Sequence, residues 1–214
     1  MKITAPTISS DLDTIDDLKK QLLNNELLES ITTKDQDLSD IKVGTARLSE
    51  CKLQNVDLLQ AHFEKLSVTD AILNNCSLIA AQVAGSEWNY ARLTACHCSG
   101  VQFQTGKLAN VTFDGCKMDL ANFRSSKLTN VVFKDCSFND VDFYGAELTN
   151  VEFDNCTIDK IQFSSVKLKN VDLTSSHLGV IEGIGSIKGA KISSLQLVSL
   201  APYLAQELGI KVED

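Results

Sequence analysis

The apolar positions of this chain recur every five residues, not at the spacing of a strand or a helix. Cut from Ala46 onward, the sequence reads ARLSE, CKLQN, VDLLQ, AHFEK, LSVTD, AILNN and CSLIA, and it continues without insertion to SHLGV at 176–180. The frame also runs back through IKVGT at 41 to QDLSD at 36. In these 29 pentads the third residue is always apolar, the first is small or aliphatic except at Gln36, and the second is polar or charged except at Ile72 and Val132. A strand alternates sides with period two, so the first and third residues face one way and the second faces the other. Positions four and five, rich in Asn, Asp, Gly, Ser and Thr, then turn a corner. Each pentad is thus predicted to be one short inward-facing strand followed by a bend.

A period of twenty lies over the period of five. Cys76, Cys96, Cys116, Cys136 and Cys156 form one series, and Asn110, Asn130, Asn150 and Asn170 another. Phe103, Phe123, Phe143 and Phe163 form a third, and Phe113, Phe133 and Phe153 a fourth. Twenty residues are four pentads, so like residues stack if every coil has four sides. Internal repeats of this kind predict an all-β solenoid, a quadrilateral parallel β-helix over residues 31–190. Its coils are spaced about 4.8 Å apart, which makes a rod of roughly 35 Å for seven to eight of them.

The pentads AELTN at 146, ANFRS at 121 and VDFYG at 141 resemble the A(D/N)LXX pattern of the pentapeptide-repeat family. That resemblance implies a right-handed helix.

A solenoid exposes apolar surface at its ends and needs caps. Over residues 1–30 the spacing of Leu12, Ile15, Leu18 and Leu22, with Ser10 as N-cap, predicts a short helix covering the first coil. Over residues 191–214 a helix is predicted from about Ser194 to Leu208, interrupted at Pro202 and ended at Gly209. Leu195, Val198, Ala201, Leu204 and Leu208 line one of its faces, partly to cover the last coil and partly as a patch for pairing. This tail, with its LGI ending, is similar to that of the Qnr and MfpA groups of the family, especially Gram-positive members, and the similarity implies an end-to-end homodimer.

Composition narrows the function. A net charge of -8 opposes nonspecific attraction to phosphate backbones or anionic lipid, so neither direct nucleic-acid binding nor a membrane role is expected. No apolar run reaches the length of a signal peptide or a span, which predicts a cytoplasmic protein with its seven cysteines as thiols. Six of those cysteines occupy first positions and Cys98 a third, so all are predicted to face the core as small apolar fillers. Cys96 and Cys98 find no histidine there, and His62, His97 and His177 fall at second positions on separate coils, so no metal site is expected. A filled rod without inserted loops, phosphate-binding motif or nucleophile elbow offers no cleft for catalysis. We therefore expect a non-enzymatic protein without cofactor. Trp88 takes a core position and Tyr144 a corner.

Sorted by side, the charges are uneven. Between 111 and 180 one side holds Asp114, Asp135, Glu152, Asp154 and Asp172 against Lys134, and the next holds Asp119, Asp140 and Asp159 against Lys117 and Lys160. The side before them carries Lys127, Lys167 and Lys169 against Glu147. The Qnr and MfpA groups are DNA mimics that occupy the DNA site of gyrase or topoisomerase IV and protect it from quinolones, so the resemblance implies a type II topoisomerase as protein partner. Duplex DNA carries about 20 charges over roughly 35 Å. The array nets only -4, from 17 acids and 13 bases, which confines any mimicry to one flank. The alternative is a structural or regulatory scaffold for an unrelated protein partner.

Overall fold

The computed structural model describes residues 3–213. Met1, Lys2 and Asp214, at the extremes of the two expected caps, lie outside them. Residues twenty apart lie side by side in parallel register: Ser67 pairs with Glu87, then Lys107, Lys127, Glu147 and Lys167. The same spacing holds from Leu27, opposite Arg47, to Gln162, opposite Glu182. With its caps the described chain makes about nine turns of a parallel β-solenoid. Four faces follow in order around each coil. Face 1 contains the pentads beginning at 106, 126 and 146, face 2 those at 111, 131 and 151, face 3 those at 116, 136 and 156, and face 4 those at 121, 141 and 161.

Between 36 and 180 every first residue except Gln36 is buried, and so is every third except Leu48 and Leu168; no second residue is buried. Strands cross from face 1 to face 2 in single stretches such as Lys107–Asp114. The bend at Asn110 in the middle of that stretch has φ 54°. Among the described residues all 22 non-glycine residues with positive φ occupy fifth positions. The left-handed conformation is costly for most side chains and cheapest for Gly, Asn and Asp, which explains the composition of the corners. At the corner between faces 1 and 2 the asparagines form the expected ladder. Each amide donates to the side-chain oxygen of the coil before, Asn130 to Asn110 at 3.3 Å, Asn150 to Asn130 at 3.0 Å and Asn170 to Asn150 at 2.9 Å.

The interior changes character along the rod. From Phe103 to Phe163 it is filled by two aromatic stacks, with ring centroids 5.2 and 4.8 Å apart along Phe103, Phe123 and Phe143, and 5.0 Å at each step of Phe113, Phe133 and Phe153. Trp88 closes the stack at its N-terminal end, edge-on to Phe103, with its indole N–H donated to Ser86. Before it the core is mainly leucine and valine and keeps an apolar cavity of about 30 Å³, lined by Leu38, Leu53, Leu58, Leu73 and others. All seven cysteines are buried and free. The thiols of the aligned series donate to carbonyls 23 residues earlier, Cys96 to Leu73 at 3.5 Å and Cys116 to Leu93 at 3.4 Å. Burial pushes the Cys51 thiol up to about 11, and the neighbouring thiols of Cys116 and Cys76, with burial, hold Cys96 above its ordinary range. Such groups stay protonated and unreactive at neutral pH.

The caps depart from the helical spacing read in the sequence. The N-terminal helix, α1, spans only Leu18–Asn24, and its cap is Asp17, which accepts from the Lys20 N–H at 2.9 Å; Ser10 is not the cap. Leu12 and Ile15 belong instead to an extended strap. Its residues Asp13 and Thr14 pair with Ile31 and Thr32 on the edge of face 2. The exposed backbone groups of the first coil explain the difference, because a sheet edge gains more from a strand partner than from a helix packed over it. Upstream, the strap runs along the corner of the rod, where Ser9 N–H donates to Glu50 and Thr7 N–H to Asp70 at 2.7 Å. At the other end the helix α2 spans Ser194–Glu207, capped by Ser193 in a reciprocal bond with Gln196, and continues through Pro202. Gly209, φ 70°, ends it.

Candidate functional site

The twenty-residue register brings the eight candidate carboxylates onto two adjoining faces. On face 2, Asp114, Asp154 and Asp172 lie within or at the ends of strands and Glu152 points outward between them. Asp135 sits at the corner where face 2 meets face 3, with φ 51°. On face 3, Asp119 and Asp159 face solvent at fourth positions and Asp140 holds the next corner, φ 58°. The flank is partly neutralised from within. Lys134 lies 4.0 Å from Asp114 and 3.6 Å from Asp135, and Lys160 lies 2.9 Å from Asp140 and 3.2 Å from Glu182. The Asp140 and Glu182 carboxylates hold the Lys160 ammonium above its usual range. Asp172 accepts from Thr174, closing a turn of its own.

Two features of the charge pattern emerge only over the full length of the rod. Face 3 carries two acidic stretches, Asp37, Asp40 and Asp57 upstream and Asp119, Asp140 and Asp159 downstream, separated by the coils at 76–80 and 96–100, which hold no carboxylate. Face 2 changes sign: its N-terminal half carries Lys34, Lys52 and Arg92 against Asp35. Face 1 carries ion pairs across coils, with Lys107 2.7 Å from Glu87, and Glu147 between Lys127 at 3.4 Å and Lys167 at 2.8 Å, while Lys107 and Lys127 are neighbours of like sign. Lys167 and then Lys127 hold the Glu147 carboxyl below the usual carboxylate range. On face 4 Arg124 pairs with Asp142 at 2.8 Å and lies 4.4 Å from the centroid of the Tyr144 ring.

His62, His97 and His177 are all exposed and on separate coils. Among the described residues no group of three or more His, Cys, Asp or Glu side chains is arranged to hold a metal ion, and no helix is long and apolar enough to cross a membrane.

The five candidate pairing residues divide. Leu195, Val198 and Leu208 are strongly exposed, at 84%, 73% and 73%, and Ala201 is exposed beside them, whereas Leu204 packs inward on the core. The residues of α2 that cover the last coil are Gln196 and Leu200, both buried, and sequence periodicity passed over them because Gln196 is polar. Its amide donates to the carbonyls of Leu173 at 2.7 Å and Ser176 at 2.6 Å, while its oxygen accepts from Ser193 N–H. Ile210 and Val212 extend the exposed apolar surface beyond the helix.

Comparison with known proteins agrees with this architecture. A trypsin-treated variant of QnrB1, a plasmid-mediated fluoroquinolone resistance protein, superposes with a TM-score of 0.52 at 17% identity, over 88% of this chain and 90% of that one. HetL, a pentapeptide-repeat protein involved in heterocyst differentiation regulation from the cyanobacterium Nostoc, matches at 16% identity over 77% of this chain and 86% of its own, with a TM-score of 0.41. No curated protein matches the sequence significantly. Two family models match it, one for pentapeptide repeats over residues 46–79 and one for the pentapeptide repeat region over residues 86–163, together just over half of the chain. With its period of five, its four-sided coils and both matches inside the coiled region, the chain belongs to the pentapeptide-repeat family.

Proposed function

We propose that this protein is a non-enzymatic, cytoplasmic DNA mimic whose acidic flank, the C-terminal half of face 2 together with face 3, binds the DNA site of a type II topoisomerase. The observation that carries the reading is the register itself: it gathers eight carboxylates onto two adjoining faces between Asp114 and Asp172, with Glu152 and Asp172 on neighbouring coils, so that a basic groove built for phosphates meets a net negative surface. The fold shared with a fluoroquinolone resistance protein supports the choice of partner. The sign change along face 2 favours a second reading, a scaffold for an unrelated partner of mixed charge, in which only part of the rod is engaged.

A supercoiling assay with DNA gyrase, with and without a fluoroquinolone, separates the two. The mimic inhibits supercoiling or protects the enzyme from the drug at micromolar concentration; absence of binding, inhibition and protection excludes the topoisomerase. Reversing Asp114, Asp135, Glu152 and Asp154 to lysine is expected to weaken the interaction by at least about tenfold and to flatten its salt dependence. An unchanged effect places the contact on another face.

We also propose that the protein pairs end to end through the outward face of α2. The exposed apolar groups Leu195, Val198, Leu208 and Val212 lie within one short terminal segment, and burial against a second copy removes them from water. Light scattering is expected to give twice the chain mass of 23.4 kDa, falling to the single mass when Leu195 and Val198 are both replaced by glutamate. A monomeric native protein overturns the pairing.

A further inference from the structure

Leu120 conflicts with its own position. It is a fifth-position residue with φ 59°, and of the 22 non-glycine residues in that conformation it is the only aliphatic one larger than alanine. Its side chain is 62% exposed, so it adds little to the core. On the other coils where this corner is left-handed the equivalent residues are Asp40, Gln60, Ala80, Gly100 and Asp140, and Lys160 and Val180 follow outside that conformation, so the corner does not demand a leucine. A bulky side chain held in a strained backbone region and also left in water is a local cost without a folding return, and such conflicts gather at functional positions.

Its surroundings say what it is for. On one side the corner residue of the preceding coil is Gly100, which carries no side chain; on the other stands Asp140, and Asp119 precedes it in sequence. Four residues further along the same coil is Arg124, laid over Tyr144 and anchored by Asp142, so both of these interface-favoured side chains are already ordered. An aliphatic knob between carboxylates, with an ordered Arg–Tyr pair nearby, has the composition of an interface centre with a charged rim.

We propose that Leu120 is the apolar anchor of the acidic flank, the point at which a basic protein surface presents an apolar side chain between a cation that pairs with Asp119 and one that takes the place of Lys160 on Asp140. The inference rests on the topoisomerase reading above and adds to it. The phosphate surface of DNA offers no such knob, so the complex gains a component that salt does not screen.

The test uses the full-length chain and DNA gyrase, with binding measured at low and high salt for the native protein, for L120N and for the four-site charge reversal. Asparagine suits the left-handed corner, so L120N is expected to unfold at the same temperature as the native protein or a few degrees above it. Its binding is expected to be about tenfold weaker at every salt concentration, while the charge reversal removes the salt-dependent part. L120N that binds as the native protein does, or that unfolds at a lower temperature, overturns the anchor and leaves the flank standing. A native protein that fails to bind gyrase overturns both.

Discussion

Replacing Phe133 by alanine is expected to lower the unfolding free energy by about 3–5 kcal/mol, the largest loss any single core substitution should produce in this rod. The ring is fully buried and stands in the middle of one stack, 5.0 Å from Phe113 and 5.0 Å from Phe153. It also meets Phe138 edge-on at 5.3 Å and Phe123 at 6.1 Å, so its removal strips contacts from the coils above and below at once. Neighbouring backbones are tied into parallel ladders on both sides and cannot collapse into the gap, which keeps the cavity open and its cost high. Urea titration followed by the fluorescence of Trp88 gives the number. A double mutant cycle gives the cause: with Phe113 already alanine, losing Phe133 should cost measurably less than it does alone, because the stacked pair is gone. Paired with a change at the remote Leu38, the costs should add. A loss below about 1 kcal/mol, or additivity with Phe113, contradicts the stacked-core account.

That the same ring could be placed in the core from sequence alone follows from the physics of the coil. A strand has a period of two and a four-sided coil has a fixed circumference, so counting modulo five gives the side of the strand and counting modulo twenty gives the neighbour. The aromatic stacks, the thiol column and the asparagine ladder were all legible in that way. The asparagines are legible for a second reason, since the corner they occupy is left-handed and few other side chains tolerate it. The two apolar second positions were not understood from sequence. Ile72 lies just past Asp70, whose carboxylate holds the strap at Thr7, so the strap passes close to it.

The ends escaped the same reasoning because they are governed by unpaired backbone, not by side-chain pattern. Asp13 disfavours a strand and the segment shows no strand alternation, so the open edge at Ile31 and Thr32 is what makes Asp13 and Thr14 a strand. The acidic flank is intermediate. Its carboxylates could be assigned to faces by counting, but the neutralisation of Asp114 by Lys134 and of Asp140 by Lys160 depends on side chains reaching across one coil, and the sign change of face 2 is visible only when the N-terminal coils are included.

Gln196 shows what governs an end most directly, and its replacement by leucine is expected to cost about 2–4 kcal/mol although it adds apolar volume to an apolar cap. Where the last coil stops, the carbonyls of Leu173 and Ser176 have no further strand to receive from, and the single amide of Gln196 donates to both. Leucine removes both donors and also the acceptor for Ser193 N–H, leaving the Ser176 carbonyl without its donor and the Leu173 carbonyl with only the Ser176 N–H at 3.1 Å. Glutamate has nearly the same shape and should be worse near neutral pH, since a carboxylate would face two carbonyl oxygens. In Q196E that repulsion raises the folded-state pKa of the acid above its unfolded value of about 4.3. The folded state then binds the proton more tightly, so stability is recovered as the pH falls below the folded pKa and is lost as the pH rises through it. Hydrogen exchange supplies the location. In Q196L the amides of α2 and the coil at 171–182 should open early, while those near Phe133 keep their protection, because a solenoid loses its end coils independently of its middle. If Q196L is as stable as the native protein and its last coil exchanges no faster, the carbonyls are satisfied by some other means and the amide is not what closes the rod.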